Sequence, residues 1–271
     1  MRVADPVVAD PAASWKAELS LGFEFTDGRS VLARKQHDGP LVVQKALYPE
    51  GGEVCHAIIV HPPAGIAGGD ELALNVQSGK AAAALLTTPG AGKWYRSSGP
   101  WAAQRLVFDV EGTLEWLPQE TIAFDGARAD LWTEVRLAGD ARYIGWEILC
   151  LGRSGSGERF SSGTIRLSTR ISRDGKAIWL ERGRIDGGGK LMQSAAGLAG
   201  RTVCGTFVAA APGLKMIRAE GLAVTALPGV LVARYLGDSS EEAKQLFVQL
   251  WEALRPLALG REAVRPRIWA T

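Results

Sequence analysis

Two acidic residues stand in sequence where charge is costly. Glu147 lies within Ile144-Gly145-Trp146-Glu147-Ile148-Leu149, and Glu181 within Ile178-Trp179-Leu180-Glu181-Arg182-Gly183-Arg184. An unpaired carboxylate buried in such an apolar strand is strongly disfavoured. The residues alone allow two solutions: an ion pair, for Glu181 with a neighbouring arginine, or a water-lined passage. A third acid, Asp70, ends the run His61-Pro62-Pro63-Ala64-Gly65-Ile66-Ala67-Gly68-Gly69-Asp70. The prolines stiffen the entry and the small residues permit close backbone approach. Asp70 there either closes a turn through its side chain or joins His61 in facing a cation.

Other chemistries fail on spacing. The chain has 3 histidines, His37, His56 and His61, and none forms His-Glu-x-x-His. His56 and His61 are placed on opposite faces of one strand and cannot share a metal. Thr87-Thr88-Pro89-Gly90-Ala91-Gly92-Lys93-Trp94 lacks the first glycine and the hydroxyl residue of a phosphate loop, and Gly187-Gly188-Gly189-Lys190-Leu191 fails likewise. Gly155-Ser156-Gly157 sits in a loop rather than on a nucleophile elbow. Cys55, Cys150 and Cys204 are far apart, form no Cys-x-x-Cys pair and read as buried thiols.

The elements that must position these groups are mostly strands. Residues 17–25 alternate, with Leu19, Leu21, Phe23 and Phe25 on one face, and residues 71–77 and 165–172 do the same. Asp27-Gly28 and Asp174-Gly175 supply turns. Strand runs at 104–110 and 113–117 flank Glu111-Gly112 like a hairpin, as do 131–137 and 143–150 around Gly139-Asp140. Regular short strands with intervening turns predict an all-β domain. Residues 153–163 predict an exposed loop, and 190–199 a short helix. One long helix is expected over 240–255. Ser239 and Glu242 form its capping box, Ala243, Leu246, Phe247, Leu250, Trp251 and Leu254 its apolar stripe, and Pro256 its end. No internal repeat of fixed period is found. Residues 1–14 are expected to be a flexible N-terminus and 15–271 a single domain.

Composition fits a folded protein without a strongly charged partner. Of 271 residues, 46% are hydrophobic and 22% charged, which excludes a disordered chain. Lys+Arg 31 against Asp+Glu 29 gives +2, which argues against nucleic acid or an anionic membrane as the main partner. Gly 33 and Pro 13 fit a turn-rich fold. The sequence shows no signal-peptide pattern and no stretch of eighteen apolar residues, so a cytoplasmic location is expected.

Several segments together resemble the urease accessory protein UreD, or UreH, family. They are the 61–70 loop, Thr87-Thr88-Pro89-Gly90-Ala91 with Tyr95-Arg96-Ser97, and Leu114-Glu115-Trp116-Leu117-Pro118-Gln119-Glu120-Thr121-Ile122. Gly145-Trp146-Glu147, Leu151-Gly152-Arg153, Leu180-Glu181-Arg182-Gly183-Arg184-Ile185 and Pro266-Arg267-Ile268-Trp269-Ala270-Thr271 follow in family order. Ala64 departs from the family's usual glycine. The resemblance implies a mainly β fold, stacked in a helical fashion, with few helices. It implies a non-catalytic chaperone that binds apo-urease and UreF, which recruits the GTPase UreG. The assembly delivers nickel to urease, with no tightly bound cofactor in this protein. It further implies a nickel passage, and the matching carboxylates are Asp70, Glu147 and Glu181, to which the loop chemistry adds His61.

Carboxylates and water hold Ni²⁺ more weakly than imidazole or thiolate. Spaced acids therefore suit transit, where an ion must enter and leave. Two other readings stand beside this one: a metal-dependent hydrolase using His61 and Asp70, and a plain β-rich adaptor whose acids are ion-paired.

Overall fold

A computed structural model describes residues 14–63 and 65–270. The expected flexible segment 1–14 therefore lies, apart from Ser14, outside the described residues. The chain begins with strands β1 (Lys16–Thr26), β2 (Arg29–Asp38), β3 (Val42–Leu47), β4 (Cys55–Val60), β5 (Gly65–Ile66) and β6 (Glu71–Ser78). Then come β7 (Ala83–Thr87), β8 (Gly92–Trp94), β9 (Ala102–Val110), β10 (Thr113–Trp116), β11 (Thr121–Ala123), β12 (Arg128–Leu137) and β13 (Arg142–Leu151). After β14 (Thr164–Arg173) and β15 (Lys176–Asp186) comes α1 (Lys190–Gln193), and after β16 (Val203–Ala210), β17 (Ala223–Leu227) and β18 (Val230–Gly237) comes α2 (Ser240–Leu259).

The strands form two main sheets. The first has the order β15-β14-β12-β9-β6-β1-β2 and the second β17-β18-β16-β13-β10-β7-β4-β3, with β5, β8 and β11 forming a strip that joins β13. Along the middle of each sheet the pairing is parallel: β6, β9, β12 and β14 in the first, β4, β7, β10 and β13 in the second. The chain thus visits the second sheet, the strip and the first sheet in turn, and repeats the circuit one rung further along. This is the helical stacking of β-sheets that the family resemblance implied.

Two expected hairpins are absent. The Asp-Gly turns at 27–28 and 174–175 do close hairpins, pairing Thr26 with Arg29 and Arg173 with Lys176. At Glu111-Gly112 and Gly139-Asp140, by contrast, the chain leaves the first sheet and enters the second, because β9 and β12 belong to one and β10 and β13 to the other. A glycine turn does not specify whether the next strand pairs backwards or crosses over. The run of buried residues in β10 and most of β13 marks strands covered on both faces, unlike the alternating strands of an exposed hairpin. Gly112 permits one crossover: a Cβ there would lie 2.2 Å from the Ala82 carbonyl oxygen and 2.6 Å from that of Gly79.

The molecule has three layers. Leu21, Phe23, Leu74, Phe108, Val135 and Ile165 pack between the sheets. On the outer face of the second sheet, Trp146, Phe207, Phe247, Trp251 and Leu254 pack against α2. The Ser239 side chain accepts the Glu242 N–H at 3.1 Å, as the capping box requires. The Glu242 carboxylate does not return the bond but accepts from the Tyr235 hydroxyl at 2.6 Å. Pro256 does not end α2. The helix continues to Leu259 and stops at Gly260, whose φ is +71° and whose N–H reaches the Pro256 carbonyl. Ala258 and Leu259 are buried, so packing outweighs the hydrogen bond the proline lacks. The second expected helix is also shorter than its expected span: α1 covers 190–193, and turns follow. Among the described residues no helix is long and apolar enough to cross a membrane.

A buried charge cluster ties α2 to the sheet beneath it. Arg255, with no exposed surface, donates to Glu115 from Nη2 at 2.9 Å and to Glu50 from Nη1 at 2.6 Å. Its Nη1 also reaches the Glu262 carbonyl. The Trp251 indole N–H donates to Glu115 at 2.6 Å, and His56 Nε2 meets Glu50 at 2.5 Å. Burial disfavours the Arg255 charge, but the two carboxylates outweigh it and hold its pKa above the ordinary value. Burial likewise pushes Glu50 up, yet the hydrogen bonds from His56 and Arg255 win and its pKa falls.

Candidate functional site

A cavity of about 290 Å³ lies between the two sheets. At the ~30 Å³ that a water occupies in the liquid, it has room for on the order of ten. Leu74, Leu106 and Ile171 line it from the first sheet, and Tyr143, Leu149 and Val208 from the second. Its polar lining has a definite register. In the first sheet Thr133, Thr169 and Glu181 stand side by side on β12, β14 and β15. In the second, Glu147, Thr206 and Arg234 stand side by side on β13, β16 and β18. All but Arg234 line the cavity, and Glu181 meets Arg234 of the facing sheet at its margin, Oε1 to Nη1, at 2.8 Å. Two polar rungs therefore face one another between apolar walls.

Glu147 sits at an interruption in its own sheet. β13 pairs with β10 through Gly145 and resumes with β11 at Leu149, while residues 117–120 bow away between them. The Trp146 indole N–H fastens that bow by donating to the Pro118 carbonyl at 2.8 Å. No hydrogen bond among the described residues reaches the Glu147 carboxylate. Burial, and secondarily the charge of Glu181, push its pKa up to about 7. It is surrounded by protein yet only partly buried by surface area, because it faces the cavity. Glu181 is the opposite case, an acid with a resident cation. Its arginine is not the neighbouring Arg182 or Arg184: Arg184 pairs with Asp186, and the partner comes from the facing sheet.

His61 and Asp70 diverge. His61 lines the cavity, and its Nε2 is buried without a hydrogen-bond partner. Burial lowers its pKa, with the charge of Asp70 opposing, so the ring favours its neutral form. His56 turns to the opposite side, into the Arg255 cluster, as the five-residue spacing requires. Asp70 does not line the cavity. Its buried carboxylate accepts the Trp15 N–H at Oδ1 and the Ala67 N–H at Oδ2, both at 2.7 Å. It closes the loop onto the start of β1.

The structure thus brings His61, Glu147 and Glu181 to one cavity and sets Asp70 behind its wall. Among the described residues no three His, Cys, Asp or Glu side chains converge as a metal site. Cys204 was not singled out by sequence, yet it lines the cavity two residues from Thr206. Burial, then the charges of Glu147, Cys150 and Glu181, push its thiol up to about 12, which keeps it protonated and a poor metal ligand. Arg234 was missed because its partner is distant in sequence. The Arg255 cluster left one signal: an arginine on the apolar stripe of an amphipathic helix.

Fold and site together define a coiled β-scaffold with an acid-lined cavity between its sheets. The profile of the UreD urease accessory protein family matches residues 16–270, and the chain belongs to that family. It is 56% identical to the urease accessory protein UreD of Dechloromonas aromatica, with 95% of each chain covered. The UreD proteins of Azoarcus sp. and Pseudomonas aeruginosa are 53% and 49% identical, over 95% of this chain and 94% and 96% of theirs.

Proposed function

We propose that this protein is a non-catalytic chaperone of urease maturation in the cytoplasm. It binds apo-urease and UreF, recruits UreG through UreF, and passes nickel through the inter-sheet cavity toward the urease active site. Nickel is cargo here, held for a time and released. The observation that carries this reading is the pair of facing polar rungs, with Glu147 and Glu181 in one cavity large enough for several waters and, among the described residues, no converging third ligand. Two separated carboxylates with threonine hydroxyls between them offer weak oxygen stations. His61 is a neutral imidazole at the cavity wall, and Asp70 closes the loop that follows it.

The Glu181–Arg234 contact favours a second reading, in which the acids only pair the sheets and the protein is an adaptor. The hydrolase reading has less support, since both Asp70 oxygens accept backbone N–H groups and no hydrogen bond among the described residues joins either to His61.

The test is Glu147→Gln/Glu181→Gln, assayed for binding of apo-urease and UreF and for activation and nickel content of urease. Intact binding with lowered nickel content supports a conduit. Full activation supports the adaptor.

A further inference from the structure

The contact between Glu181 and Arg234 has a feature that a plain structural ion pair does not need. Glu181 lines the cavity, whereas Arg234 enters from β18, next to the edge strand of the second sheet. The Arg234 side chain is 49% exposed and that of Glu181 25%. The guanidinium also lies over the Trp179 ring, 5.8 Å from its centroid. Trp179 and Glu181 are two residues apart on β15 and point to the same side. The arginine therefore rests on one and binds the other, spanning from sheet to sheet at the cavity's margin.

We infer that Arg234 is a displaceable gate: its guanidinium occupies Glu181 as an internal cation, and a divalent cation must displace it to use that carboxylate. The inference rests on the proposed passage of nickel and adds the residue that sets how readily the passage loads. Glu147, in the same rung as Arg234 but separated from it by Thr206, has no resident cation among the described residues. The two acids of the cavity are thus unequal, one open and one occupied.

The device is suited to displacement. A half-exposed ion pair is weak, because water screens it and ordering two side chains opposes it. The ring adds a further small attraction. Together they hold Arg234 on Glu181 most of the time without fixing it there. Apparent affinity for a competing ion falls by the fraction of time the carboxylate is free. With Arg234 bound about nine-tenths of the time, the reduction is roughly tenfold, equivalent to about 1.4 kcal/mol. Arginine stays charged across the physiological range, so the gate responds to competing ions rather than to pH.

The experiment is a Ni²⁺ titration of the untagged full chain at low ionic strength, by competition with a chromogenic chelator. The set comprises the parent, Arg234→Gln, Glu181→Gln and the double variant. Arg234→Gln is expected to tighten Ni²⁺ binding by roughly tenfold, and the double variant to lose that gain. If Arg234→Gln lowers the thermal midpoint, Arg234→Lys replaces it. Lysine keeps the charge but not the planar stacking group, so a smaller gain is expected. Unchanged affinity in the glutamine and lysine variants, or a gain that persists without Glu181, overturns the gate. Failure of the conduit would look different: Glu147→Gln/Glu181→Gln would activate urease fully whatever the Arg234 variants bind.

Discussion

Arg255 and Glu115 meet inside the protein with almost no exposed surface on either side chain: 0% and 2%. One comes from the last helix and the other from the middle of the second sheet, and Glu50 completes the guanidinium's shell. Replacing Arg255 by methionine removes the cation shared by both carboxylates and leaves Glu50 only His56 and Glu115 only the Trp251 N–H. We expect a loss of about 3–5 kcal/mol, the usual cost of breaking a buried pair from one side. Urea denaturation measures it. Adding Glu115→Gln to Arg255→Met should restore part of the loss, because one stranded charge is removed. An Arg255→Met chain as stable as its parent would show that the cluster is not what anchors α2.

Glu147 gives a pH dependence with a definite sign. Its folded pKa of about 7 lies above the ordinary 4.5, so the folded state holds the proton more tightly than the unfolded state. Its favourable contribution is complete below the unfolded pKa and is lost as pH rises from there through about 7. Stability should therefore fall across that interval by about 1–3 kcal/mol, allowing for water in the cavity. Glu147→Gln should flatten this part of the curve and be more stable than the parent at pH 8. Parallel curves for the two chains in chemical denaturation would contradict it.

Asp70→Ala should act through the fold. It leaves the Trp15 and Ala67 N–H groups without acceptors, for an expected cost of about 2 kcal/mol. In a chain of this size that is a thermal midpoint lowered by roughly 4–8 °C. Scanning calorimetry provides the check. An unchanged midpoint with poorer nickel delivery would put Asp70 among the cargo-facing residues after all.

Gly145 is fixed by its neighbour. A Cβ there would stand 2.1 Å from the Tyr143 hydroxyl oxygen, and both residues line the cavity. Gly145→Ala should cost about 1–3 kcal/mol by overpacking. Tyr143→Leu in the same chain should relieve it, which a comparison of urea midpoints would detect.

Local physics was legible in the sequence and long-range pairing was not. The alternation from Ala17 to Phe23, the Asp-Gly turns and the Ser239 cap each depend on neighbouring residues, and each appears in place, although Phe25 at the strand's end is exposed. Rung stacking left no repeat because the stacked residues need only be apolar. Cys55, Ala84, Leu114 and Tyr143 form one column across β4, β7, β10 and β13 with four different side chains. The cavity acids were visible because charge amid apolar strand residues requires a reason. Their unequal partners were not, because Arg234 approaches from the opposite sheet. Asp70 fits both its sequence readings equally well until the Trp15 and Ala67 N–H groups are seen to meet it.

The order of the elements, with α2 after every strand of the second sheet, has a consequence for synthesis. At roughly 5–20 residues per second, Trp146 is synthesised several seconds before the helix that covers it. Until then the Trp146 and Phe207 face is open, and Glu50 and Glu115 await the guanidinium of Arg255. The nascent chain therefore carries an uncovered, acid-bearing apolar face until α2 emerges. Crowded expression would be most damaging during that interval, and slowing initiation should improve recovery more than slowing elongation.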